Sequence, residues 1–218
     1  MMTMSTIVVT GGSSGLGKAI VTALLACDWP VADWSLETGV DVTDRVQVIE
    51  AAGKLLAVDI LINCAGVNHL DHIENLTKPD WDRVMGVNAW AILNCTQALL
   101  PHLQAGGTVL NILSSAAQQP MTLSLLYNAS KAAAAMMTRQ MARELGNSHH
   151  ITVFGISPGW LDGTGMTKLV DKRLKEMRDL NPPEHRIDPT RIADMIAWLL
   201  GRKERHEYLH GSILEYGV

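Results

Sequence analysis

Short runs of β-branched and aliphatic residues recur along the chain, separated by longer stretches in which apolar residues return every three or four positions. "TIVVT" (Thr6–Thr10) is continuous enough for a buried strand. A glycine cluster follows it, and then "KAIVTALLA", whose apolar positions keep helical spacing. "PVADW" predicts a second, weaker strand. "VDILIN" (Val58–Asn63), "GTVLNIL" (Gly107–Leu113), "ITVFGI" (Ile151–Ile156) and "SILEY" (Ser212–Tyr216) predict four more. Helices are predicted over Pro79–Leu103, Leu125–Leu145 and Pro189–Leu200. Alternation of this kind implies right-handed crossovers and a parallel sheet covered on both faces, a doubly wound α/β fold. Gly159–Arg186 breaks the rhythm: it is rich in Gly, Pro and charge, and only partly helical. A long excursion in a compact domain reads as a functional loop. The expected organisation is one domain over residues 1–218, with a substrate loop at about 159–186.

Composition narrows the function classes. The chain is 47% hydrophobic and 18% charged, which fits a globular protein and not a disordered one. A net charge of −4 gives no reason to expect nucleic acid or an anionic membrane as a partner. Cys27, Cys64 and Cys95 are odd in number and lack CxxC spacing, so neither a disulfide framework nor a metal site is expected. "MMTMSTIVVTGG" lacks the basic region of a secretory signal, and no apolar stretch reaches the ~18 residues of a membrane helix. A cytoplasmic protein is the expectation.

Several motifs could carry chemistry. "TGGSSGLG" (Thr10–Gly17) sits where the first strand hands over to a helix, and its glycines would let the backbone approach a pyrophosphate on the helix N-terminus. "INCAG" (Ile62–Gly66) is a small-residue turn at a strand's carboxyl end, where open α/β sheets bind ligands. Asn88 interrupts a predicted helix that is otherwise apolar on its inward side. "NILSSAA" (Asn111–Ala117) ends a strand in two serines, and in "YNASK" Tyr127 and Lys131 share one helical face. Taken singly, that pair fits an acid/base couple or merely an aromatic and a basic residue packed side by side.

In this order, however, the motifs resemble the short-chain dehydrogenase/reductase family. "TGGSSGLG", "DVTD" (Asp41–Asp44), "DILINCAG", Asn88, "NILSS", "YNASK", "SPG" (Ser157–Gly159) and "YLHGSILEYG" span almost the whole chain. The resemblance implies a Rossmann-type sheet of about seven strands, a nicotinamide dinucleotide, and hydride exchange between an alcohol and a carbonyl. It implies Asn88, Ser114, Tyr127 and Lys131 as the catalytic residues. Tyr127 would be the acid/base, with the Lys131 ammonium and the nicotinamide charge favouring its phenolate. Ser114 would polarise the substrate oxygen, and Asn88 would position a water linking Lys131 to solvent. A non-catalytic dinucleotide-binding sensor or scaffold is the alternative, for which all four residues would have no use.

The same resemblance implies cofactor contacts from Gly11, Ser13, Ser14, Gly15, Leu16 and Gly17 at the pyrophosphate and its ribose. Asn63, Ala65 and Gly66 would border the adenosine, Asp41 and Val42 the adenine. Tyr127 and Lys131 would hold the nicotinamide ribose, and Pro158, Gly159 and Thr164 the nicotinamide. Between the second strand and Asp41, "WSLETGV" is too short for the helix the family places there. Ser35 falls at the cofactor-selecting position, flanked by Asp33 and Glu37, and no Arg or Lys lies between Lys18 and Arg45. NAD is therefore expected over NADP, with Asp33 as the ribose partner and Arg45 as the nearest cation should NADP bind. The substrate wall is expected from Asn68–His72, Ser115–Leu126 and Trp160–Leu180. Met121, Leu123, Leu125, Trp160, Met166 and Leu169 make it apolar, suited to a moderate-sized ketone or secondary alcohol. The predicted helices at Pro79–Leu103 and Leu125–Leu145 carry more apolar surface than one sheet face covers, so a homodimer or homotetramer is expected.

Overall fold

The computed structural model describes residues 6–176 and 185–217. Among them, six strands form one parallel sheet in the order β2-β1-β3-β4-β5-β6. These are β1 (Thr6–Thr10), β2 (Val31–Trp34), β3 (Val58–Asn63), β4 (Leu103–Ile112), β5 (Thr152–Pro158) and β6 (Ile213–Tyr216). The helices are α1 (Gly15–Leu25), α2 (Arg45–Ala52), α3 (Lys78–Met85), α4 (Ala91–Leu99), α5 (Leu125–His149), α6 (Gly165–Glu176) and α7 (Pro189–Leu200).

Period-two alternation along each strand feeds two cores. Val8, Leu61, Val109 and Val153 face the layer built with α2, α4 and α5. Ile7, Val9, Ile60, Ile62, Leu110 and Phe154 face the opposite layer, where Ile20 and Leu24 of α1 meet Ile192 and Ile196 of α7. Both faces are buried, which is why the strands read as continuous apolar runs.

Three features depart from the sequence expectation. The sheet has six strands among the described residues, not seven. After β2 the chain makes one 3-10 turn (Leu36–Thr38), bonded through Ser35 and Thr38 and closed by Gly39 at φ 83°. It then runs directly to Asp41 and α2, so no residues remain for another strand and helix, and β2 stays at the sheet edge. The helix expected over Pro79–Leu103 is interrupted by a π-helical turn at Gly86–Trp90, and its last residue, Leu103, opens β4. Helix α2 was not anticipated. Its apolar residues do not keep to one face, and its signal is the cap: the Asp44 carboxylate accepts from Val46 N at 2.8 Å and Gln47 N at 3.3 Å. The 159–186 excursion contains α6, and residues 177–184 lie outside the described residues.

Candidate active site

The strand order reverses at β1, whose neighbours are β2 on one side and β3 on the other. At the carboxyl ends of such strands an open α/β sheet has a crevice. Here it is a cleft of about 490 Å³ that runs from Ser35, Glu37 and Asp41 at one end to Met121, Tyr127 and Trp160 at the other. The glycine-rich loop forms its floor. Gly11 has φ +69°, and a Cβ there would lie 2.9 Å from Ala65 Cα. A Cβ on Gly17 would lie 2.1 Å from the Gly11 carbonyl oxygen, so only glycine lets α1 start this close to the loop. Ser14 is the N-cap of α1 but its hydroxyl makes no cap bond, and the first turn carries no acid. The first amides of α1 thus meet the cleft without a side-chain acceptor, which suits a pyrophosphate. Gly11, Ser13, Ser14, Gly15, Leu16 and Gly17 all line the cleft.

Tyr127 and Lys131 are brought to the cleft by α5, and Ser114 by the end of β4. The Ser114 hydroxyl accepts from Ala116 N at 3.2 Å and faces the same cleft as Tyr127. Lys131 is 4% exposed; its ammonium donates to the Ile112 carbonyl at 2.9 Å and lies 5.8 Å from the Tyr127 ring centre. Burial pushes the Lys131 ammonium down to about 8. Burial pushes the Tyr127 phenol up, with the nearby Ser114 hydroxyl working against it. That direction is opposite to the depression expected from Lys131, because the ammonium is spent on a carbonyl while the phenol is dry. Burial holds the neighbouring Cys64 thiol protonated, up to about 12.

Asn88 sits in the π-helical turn, fully buried, and is not part of the cleft wall. Its Oδ1 accepts from Val67 N at 2.8 Å, and its Nδ2 donates to Val67 O and Ser130 Oγ, each at 2.8 Å. The amide therefore fixes Val67, which does line the cleft. A π turn at a functional position is a recurrent device for re-aiming one side chain.

Ser35, Asp41, Val42, Ala65 and Gly66 line one end of the cleft, joined by Trp34, Glu37 and Val40. Asp33 does not. Its carboxylate turns towards the glycine loop, accepting from Gly12 N at 2.8 Å and Ser35 Oγ at 3.2 Å. Strand alternation explains this, since Asp33 and Trp34 must face opposite ways. Asn63 is also absent from the wall: it is buried, donating to Asn111 Oδ1 at 2.9 Å, and its own Oδ1 has no partner. Arg45 is spent on Asn94, with bonds of 3.0 Å to its backbone and side-chain oxygens. Lys131 is the one cationic side chain on the described wall.

At the other end, Asn68, Ser115, Met121, Trp160, Met166 and Val170 enclose the space beyond Tyr127. Pro158, Gly159 and Thr164 border it. Thr164 shares its hydroxyl with that of Thr167 at 2.7 Å and packs beside Gly15. Leu123 lies behind the wall with Leu70, Val170 and Trp160. Leu125 and Leu169, expected on the wall, are instead 43% and 49% exposed and face outward on their helices.

The short chain dehydrogenase family model matches residues 34–175. The chain belongs to the short chain dehydrogenase family. Among curated relatives, the 3-oxoacyl-acyl-carrier-protein reductase FabG of Thermotoga maritima is 27% identical, over 94% of this chain and 93% of that protein. The (3R)-3-hydroxyacyl-CoA dehydrogenase of Rattus norvegicus is 28% identical, over 95% and 92%. Among solved structures, a blue fluorescent protein from a metagenomic library, in complex with NADPH, gives a TM-score of 0.80 at 29% identity, covering 97% of this chain and 95% of that one. A short chain dehydrogenase from Burkholderia cenocepacia in complex with NADP gives 0.78 at 27%, covering 96% and 94%.

As a short chain dehydrogenase the chain has one local peculiarity. Its β2–α2 connection is a single turn, which puts Glu37 on the cleft wall beside Ser35 and Asp41. Sequence reasoning missed Val67 and Val87 on the wall, which follow the INCAG turn and precede Asn88, whereas Thr167 and Val170 fall within the expected Trp160–Leu180 segment.

Proposed function

We propose that the protein is a nicotinamide-dependent oxidoreductase acting on a small to medium secondary alcohol or the corresponding carbonyl, with Tyr127 as its acid/base. The observation that carries the reading is that Ser114, Tyr127 and Lys131 meet on the wall of one cleft that also holds the glycine loop. When bound, the nicotinamide supplies the carbon that takes or returns hydride. The chain's own residues handle the proton. A substrate oxygen seated between Ser114 and Tyr127 is polarised by the serine hydroxyl, and exchanges a proton with the phenol as the hydride moves. The raised proton affinity of Tyr127 leaves it protonated at neutral pH, poised to donate to a carbonyl. The Lys131 ammonium beside the ring steadies the phenolate left behind. Asn88, through Val67, keeps that side of the cleft in place.

For the cofactor the reading is NAD. Glu37 and Asp41 stand at the adenosine end with no cation on the wall there, so a 2′-phosphate would lack compensation. NADP(H) is bound in the solved relatives named above, and it is the outcome that would displace this choice. The apolar wall of Met121, Trp160, Met166 and Val170 favours an uncharged substrate group. Cys27, Cys64 and Cys95 are all free, in keeping with a reducing, cytoplasmic setting. The test is nicotinamide absorbance during incubation with a panel of ketones and secondary alcohols. Turnover by the wild type, lost in Tyr127→Phe, supports the reading. Cofactor binding without turnover on any substrate would favour the sensor instead.

A further inference from the structure

The residue after Tyr127 has no part in the proton chemistry described above, yet its side chain is hydrogen-bonded to the loop that precedes α5. Asn128 does not line the cleft; it borders a separate apolar hollow on the far side of the 116–124 loop. Its Nδ2 donates to Ala116 O at 2.8 Å and to Gln119 O at 2.9 Å, and its Oδ1 accepts from Met121 N at 3.4 Å. One side chain thus gathers three backbone groups of the loop whose tip, Met121, forms the substrate wall.

The loop needs such a hold. Leu123 has φ +60°, a left-handed conformation that a branched side chain adopts only when its surroundings impose it. Leu123 packs with Leu70, Trp160 and Val170, its carbonyl accepts from Asp71 N at 3.1 Å, and Ser124 N donates to Met121 O at 3.2 Å to close the turn. Asn128 adds a side-chain hold on the loop's middle, and supplies it from α5, the helix that also carries Tyr127 and Lys131. Wall and acid/base are therefore tied to one rigid element.

We infer that Asn128 is a positioning residue that sets substrate selectivity by fixing Met121 against the cleft. The inference rests on the reading of this cleft as a carbonyl-reducing site. Without the clamp the Met121 wall yields, so bulky carbonyls gain relative to small ones, while the proton transfer and the cofactor are untouched. Asn128→Asp keeps the size and the acceptor but presents no amide donor to the two carbonyls, so it should behave like Asn128→Ala.

The test compares wild type, Asn128→Ala and Asn128→Asp in two measurements. Hydrogen exchange on the free protein should quicken at residues 117–124 in both variants and stay unchanged across Tyr127–Lys131. The ratio of kcat/KM for acetophenone over 2-butanone should rise tenfold or more, carried by KM, with cofactor Kd and the pH profile of kcat within twofold of wild type. An unchanged ratio, or a uniform fall in kcat for both ketones, would overturn the inference. So would variants that no longer unfold cooperatively, because a residue shaping only the wall leaves the core intact. A wild type inactive on every carbonyl would defeat the functional reading alone; the exchange measurement would still decide whether Asn128 holds the loop.

Discussion

Lys131 shows how a single residue is held at a cost to stability. Its ordinary pKa of 10.5 falls to about 8 inside the protein because burial disfavours the charge. Between those values the unfolded chain holds the proton and the folded one does not, so this group's contribution to stability rises with pH across that window. Below about 8 the charged amine is buried at full cost, on the order of 3 kcal/mol. Lys131→Met removes that cost and loses the bond to Ile112 O, worth about 1 kcal/mol. The expected outcome at neutral pH is a protein roughly 5 °C higher in Tm and without turnover, read by calorimetry and by assay. A lower Tm would mean that the ammonium is a structural asset. At this scale the meeting of Ser114, Tyr127 and Lys131 in one cleft was legible in the sequence, because their spacing is fixed by one helix and one strand end. Asn88 was legible as an intruder in an apolar helix, but not its partners, which come from β3's following loop and from α5.

The element that departs most from expectation is the connection from β2 to α2. One turn leaves Asp33 facing Gly12 and Glu37 facing the cleft. Two outcomes follow. Asp33→Ala should weaken NAD and NADP by the same factor, since the carboxylate accepts from Gly12 N in the glycine loop and does not line the cleft; a loss confined to NAD would restore it as the ribose partner. On the proposed reading the wild type should favour NAD in kcat/KM, and Glu37→Gln should narrow that preference. A preference for NADP in the wild type would contradict the charge argument. The length of this connection could be read from the sequence, and so could the loss of a helix there. Which carboxylate would face the cleft could not, because a strand's facing depends on the register Val9 to Asp33, set by pairing and not by composition.

Across the whole molecule, apolar surface remains outside both cores. Leu125, Ala132 and Met136 fall along one ridge of α5 at helical spacing, with Leu125 43% and Met136 63% exposed. Trp90 is 43% exposed beside α4. A second copy covering the ridge is the expected use, so light scattering at micromolar concentration should give a dimer or tetramer, and Met136→Glu should shift it towards monomer. A monomeric wild type would leave the ridge unexplained. The doubly wound arrangement was plain from the alternation of strand and helix, while the cleft as a single space was not, since its wall gathers residues from Gly11 to Val170. Whether that space does the proposed chemistry is answered most directly by following hydride transfer from reduced nicotinamide to a ketone in wild type and in Tyr127→Phe, with cofactor affinity measured for both. The account predicts turnover in the wild type, a loss of at least a hundredfold in the variant, and cofactor affinities within twofold of each other. Equal rates in the two proteins would contradict it.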